Sequence, residues 1–72
     1  MEKIEFSLKA GEAFIPLIQL LKAANCVETG GEAQSVVMDG LVTRNGEVEL
    51  RKRAKCIPGD VIRFDCYEIV IK

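Results

Sequence analysis

Residues 41–50 read Leu41-Val42-Thr43-Arg44-Asn45-Gly46-Glu47-Val48-Glu49-Leu50. Two short runs of strand-forming residues flank Asn-Gly, the pair best suited to the two positive-φ positions of a type I′ turn. The stretch is a hairpin, and its two-residue loop sets the register: Arg44 opposite Glu47, Thr43 opposite Val48. Working downstream, Arg51-Lys52-Arg53-Ala54-Lys55 follows. Ile57-Pro58-Gly59-Asp60 then has Pro second and Gly third, the pattern of a type II turn. Val61 to Phe64 reads as a strand, Asp65-Cys66 as a bend, and Tyr67, Ile69 and Ile71 alternate in a last strand. Upstream, Thr29-Gly30-Gly31-Glu32 has capping-box spacing ahead of a short helix over about 30–39, closed by Gly40. Phe14, Leu17, Ile18, Leu21 and Ala24 recur at helical spacing, which predicts a helix over 14–25. Pro16 fits only its first turn, placing the start near Phe14 or Ile15, and Asn25 is a left-handed stop. Ile4, Phe6 and Leu8 alternate with Lys3, Glu5 and Ser7, a half-buried strand. The order predicts an α+β fold: two short helices packed on an antiparallel sheet of about four to five short strands.

At 72 residues, such a chain buries only about 60% of its unfolded surface. The expectation is one domain, residues 1–72, with no linker or repeat. Only three Phe and one Tyr occur, with no Trp, so the core is aliphatic. The net charge of -1 hides a segregation. Residues 1–40 carry three Lys against six acids, and residues 41–72 seven cations against five acids. The second half is locally basic, and the local field matters more than the sum. Three Cys without a Cys-x-x-Cys pair, and no His, argue against a zinc site or a disulfide framework and remove the commonest general base. No apolar run is long enough for a transmembrane helix. The expectation is a cytosolic protein without metal, cofactor or small-molecule substrate, monomeric in its simplest form.

The sharpest local feature is the cationic run. If residues 51–55 are extended, Arg51, Arg53 and Lys55 share one side, about 6–7 Å apart, while Lys52 lies with Leu50 and Ala54 on the other. That spacing is close to successive phosphates of a nucleic-acid strand, and Arg adds bidentate contacts. The competing reading is a charged edge that guards a strand against aggregation. Arg44 either extends the patch or pairs with Glu47. Gly30 and Gly31 open the second helix, where bare backbone N–H groups favour an anion, although Thr29 and Glu32 would cap some of them. Gln34 is a candidate polar contact one turn further on. Arg63 and Tyr67 are weaker candidates: the alternation places Tyr67 with the core side of its strand.

In order, these pieces are a leucine-rich helix (Leu20-Leu21-Lys22-Ala23-Ala24-Asn25), a tight turn, a short helix with Glu32-Ala33, Gly40-Leu41-Val42-Thr43-Arg44-Asn45-Gly46, and Pro58-Gly59-Asp60-Val61. The series resembles the S-four RNA-binding domain, the αL motif, over about residues 14–71. Thr29-Gly30-Gly31-Glu32-Ala33 and the Val48-to-Lys55 segment are similar to its stand-alone YbcJ-type branch, which is bacterial. The resemblance implies a non-catalytic protein that binds structured or ribosomal RNA through phosphates and shape. The RNA-contacting residues it suggests, together with the cationic run, are Arg51, Arg53, Lys55, Lys52, Arg44, Gly30, Gly31 and Gln34. The rival is a protein-interaction module that uses the same charge segregation. A ubiquitin-like sulfur carrier needs a Gly-Gly carboxyl terminus, and this chain ends Ile69-Val70-Ile71-Lys72.

Overall fold

The computed structural model describes residues 1–72. Seven strands and two helices run in the order β1 (Glu2–Phe6), β2 (Ile15–Pro16), α1 (Leu17–Ala23), α2 (Gly30–Met38), β3 (Val42–Arg44), β4 (Glu47–Val48), β5 (Lys55–Cys56), β6 (Val61–Phe64) and β7 (Tyr67–Ile71). Five of the strands form one sheet, ordered β1-β7-β6-β3-β4; β2 and β5 form a separate two-stranded ribbon.

The hairpin has the register its turn dictates, with Thr43 opposite Val48 and Arg44 opposite Glu47. Asn45 and Gly46 both take positive φ, 53° and 88°. The Asp60 N–H donates to the Ile57 carbonyl at 3.0 Å, and Gly59 has φ +97°, which only a glycine adopts without strain. Asn25 and Asp65 are left-handed, at 60° and 56°, ending α1 and turning β6 into β7. One pairing departs from the expected antiparallel sheet: β1 lies parallel to β7, Ile4 beside Ile69 and Phe6 beside Ile71. No hairpin joins these strands, since both helices lie between them in the chain, so no turn forces them to run in opposite directions.

α1 is shorter than the periodicity suggested. Ile15 and Pro16 pair with Cys56 and Lys55, so Pro16 is the N-cap, in an extended conformation, and not the first helical residue. The Leu17 N–H donates to the Ala54 carbonyl at 2.9 Å and the Ile18 N–H to the Lys52 carbonyl at 3.2 Å. Two N–H groups that a helix start leaves without partners are thus satisfied by another segment. At α2, Thr29 Oγ1 accepts from the Glu32 N–H at 3.1 Å, as the capping box requires. Glu32 reaches one residue further out than expected, to the Glu28 N–H at 2.9 Å.

Leu17, Leu20 and Leu21 of α1, Ala33 and Val37 of α2, and Val42, Ile62, Ile69 and Ile71 of the sheet form one buried aliphatic cluster. The register carries Val42, Arg44, Ile62 and Ile69 onto this inner face. Arg63 and Glu68 face each other on the outer one, joined at 2.8 Å.

Candidate functional site

The cationic run is not an extended ridge. The Ala54 N–H donates to the Arg51 carbonyl at 3.1 Å, which closes residues 51–54 into a β-turn; only Lys55 and Cys56 are strand. The alternation that would have set Arg51 and Arg53 on one side therefore does not exist. Lys52 and Arg53 occupy the two corners of the turn, both exposed. The reason is tertiary. The carbonyls of Lys52 and Ala54 must converge on the start of α1, and Ala54 and Cys56 must enter the core.

Arg51 is turned backwards. Its Nε lies 3.0 Å from Glu49 Oε2 and its Nη2 3.1 Å from Oε1, a bidentate pair, and its backbone N–H also donates to Glu49 at 3.2 Å. The Arg51 side-chain hydrogen bonds are the largest influence holding the Glu49 carboxyl below its ordinary range, ahead of burial, which pushes the other way. Arg51 still has 76% of its side chain exposed, so a phosphate would share it with Glu49.

Arg44 belongs to the frame beneath the turn. It sits on the same face of β3 as Val42, and its side chain is only 21% exposed. Nη2 lies 2.8 Å from Asp60 Oδ2 and donates to the Lys55 carbonyl at 2.8 Å; Nε donates to Asp60 Oδ2 at 3.0 Å. Glu49 Oε1 is 3.6 Å from Nη1. The ion pair of Arg44 is thus with Asp60 and Glu49, and not with Glu47. Asp60 also accepts from Asn45 Nδ2 at 3.0 Å and from the Ile57 N–H at 2.9 Å. Burial alone would raise the Asp60 carboxyl, but the Ile57, Asn45 and Arg44 donors outweigh it and hold the carboxyl low. Hairpin tip, Pro-Gly turn and cationic turn are locked together through these two side chains.

On the far side of Arg53 from this frame lies an open groove of ≈390 Å³, lined by Pro16, Ile18, Gln19, Lys22, Gly30 and Arg53. A second depression, lined by Arg44, Arg51, Arg53, Ala54 and Lys55, adjoins Arg53 on the other side. The ion pairs of the molecule engage Arg44, Arg51, Arg63 and Lys72. The other six cations, Lys3, Lys9, Lys22, Lys52, Arg53 and Lys55, have no carboxylate partner. Lys52, Arg53 and Lys55 lie in or next to the turn docked on the start of α1, and Lys22, in the last turn of α1, lines the groove with Arg53. The Gly30 and Gly31 N–H groups, at the start of α2, have no acceptor in the protein; Thr29 takes only the Glu32 and Ala33 N–H groups. Gln34 is exposed one turn along α2 and does not line the groove.

The groove thus brings two unpaired cations, Lys22 and Arg53, together with Gly30 at the start of α2, in a fold of two helices and a Gly-Leu-Val-Thr-Arg-Asn-Gly hairpin. Residues 7–72 match the S4 domain. The chain belongs to the S4 domain family. YbcJ of Escherichia coli (strain K12) is 32% identical over 57 residues, 79% of this chain and 81% of its own. YbcJ of Shigella flexneri matches to the same extent. The solution structure of E. coli YbcJ, described as revealing an αL motif involved in RNA-binding, superposes with a TM-score of 0.67 at 32% identity. It covers 92% of this chain and 85% of that one.

In this S4 domain the groove residue that sequence reasoning passed over is Lys22. Its helical phase, off the face that carries Leu17, Leu20 and Leu21 into the core, reads as polar surface. What the phase does not reveal is that the 51–54 turn docks beside it. No helix is long and apolar enough to cross a membrane. Cys26, Cys56 and Cys66 are free thiols.

Proposed function

We propose that residues 1–72 act as one non-catalytic RNA-binding unit, cytoplasmic and bacterial. In this reading it takes structured RNA, ribosomal RNA being the natural candidate, by its phosphates and without a small-molecule substrate, metal or partner subunit. The observation that carries the proposal is the placement of the unpaired cations. In a chain of net charge -1, four of the six, all but Lys3 and Lys9, gather around one groove and the turn beside it. Lys22 and Arg53 lie in the groove itself, Lys52 and Lys55 flank Arg53, and Gly30 and Gly31 add backbone donors where a helix dipole favours negative charge. Arg51 joins by sharing its guanidinium with Glu49, Gln34 is a peripheral polar contact, and Arg44 acts through the turn it supports. The named αL motif of the E. coli relative supports the same reading.

The test is a titration of a labelled structured RNA over a range of salt. About four neutralised phosphates give a log–log slope of roughly -3 to -4. Lys22→Ala and Arg53→Ala should each flatten it by about one unit. Absence of binding near about 50 mM salt, where phosphate contacts are strong, would overturn the proposal in favour of a protein-interaction module.

A further inference from the structure

Of the four aromatic side chains, Phe6 and Phe64 pack against the core and Tyr67 is half-buried. Phe14 is the most exposed of the four, at 39%, and lies outside the apolar cluster and its packing shell. Its backbone is nevertheless well anchored. The next residue, Ile15, is 4% exposed and pairs with fully buried Cys56. Pro16, one further on, pairs with Lys55 and lines the groove beside Arg53. The Lys55 ammonium stands over the Phe14 ring, 5.1 Å from its centroid.

We propose that Phe14 is a stacking platform for an unpaired nucleobase at the edge of the cationic groove. The RNA taken here then carries at least one unstacked nucleotide beside the phosphates that the groove holds. This rests on the RNA-binding reading above and adds the class of RNA. Bases in a duplex are stacked on one another and present little face to a protein, whereas unpaired bases stack readily on aromatic rings. A ring with an anchored backbone loses little freedom when a base covers it. One face of Phe14 already meets Lys55, an attraction between cation and π-system. A base on the other leaves that ammonium in place for the adjoining phosphate.

Two RNAs separate the possibilities: a short blunt duplex, and the same duplex with an unpaired overhang bearing 2-aminopurine. The full chain should bind the overhang RNA about tenfold more tightly, within the range of one base–aromatic stack, and quench the 2-aminopurine fluorescence. Phe14→Leu should abolish both the preference and the quenching while leaving blunt-duplex affinity within about twofold; Phe14→Tyr should retain both. Thermal melting checks that each variant is folded. Equal loss on both RNAs by Phe14→Leu would mean that the ring only props Lys55, and no loss on either would mean that it touches nothing; each overturns the platform. If Lys22→Ala still weakens binding to both RNAs, the RNA-binding reading survives that failure. If the unaltered chain binds neither RNA, both readings fall.

Discussion

Arg44 shows how much a single side chain can change meaning between sequence and fold. Beside an Asn-Gly turn it reads as a surface cation, yet it shares a strand face with Val42 and reaches Asp60, Glu49 and the Lys55 carbonyl. Arg44→Ala would leave Asp60, 6% exposed, without its cation. Breaking a largely buried pair in this way is expected to cost about 3 kcal/mol, and in a domain of this size to lower the Tm by more than about 10 °C in a thermal melt. Arg44→Lys should recover little, because an ammonium cannot reproduce the forked geometry. The cysteines are separated by environment in the same way. Burial pushes the Cys56 thiol up to about 11, and Cys56 is fully enclosed, whereas Cys66 is exposed. Timed alkylation followed by mass spectrometry should label Cys66 first and Cys56 only as the protein unfolds.

At the scale of elements, the docked turn decides which cations are available. An extended 51–55 segment would make Arg51 and Arg53 equal partners with Lys52 turned away. The turn instead presents Lys52 and Arg53 together, and Glu49 holds Arg51. RNA titrations of the single alanine variants should therefore rank Arg53→Ala highest, about tenfold weaker. Lys52→Ala and Lys55→Ala should fall between, with Arg51→Ala at about threefold or less. Dominance of Arg51 would show that RNA pulls it away from Glu49. The start of α2 has its own test. Thr29→Ala removes the hydroxyl that accepts from the Glu32 N–H, and should lower unfolding stability by about 1 kcal/mol in urea titration.

Across the whole molecule, the two buried acids link stability to pH. The folded-state carboxyls of Glu49 and Asp60 both lie below their ordinary values. In the window between folded and unfolded values the unfolded chain binds more protons, so stability rises with pH there. The contribution is complete above the unfolded carboxylate range, about pH 4. It is lost as pH falls through the folded values. Urea midpoints measured against pH should therefore be level near neutrality and fall steeply in acid. Asp60→Asn should lower the neutral midpoint and flatten the acid limb. An unchanged acid limb in that variant would show that the Arg44–Asp60 pair does not control acid unfolding.

What the sequence determined by itself is local. The Asn45-Gly46 hairpin and its register, the Pro58-Gly59 turn, the left-handed stop at Asn25, the Thr29 cap and the inward face of the last strand each follow from a few adjacent residues. Backbone sterics and a side-chain period of two or 3.6 settle them without distant contacts. Even the family likeness rests on the order of such short pieces. The tertiary structure decided whatever depends on partners far along the chain. Pro16 became a strand residue and N-cap because Lys55 pairs with it, and 51–54 became a turn because its carbonyls complete the start of α1. Arg44 went to Asp60, and β1 lay parallel to β7. The groove belongs to this second group: Lys22 and Arg53, 31 positions apart in the numbering, line one concavity only because unsatisfied N–H groups at a helix start drew a distant turn onto them.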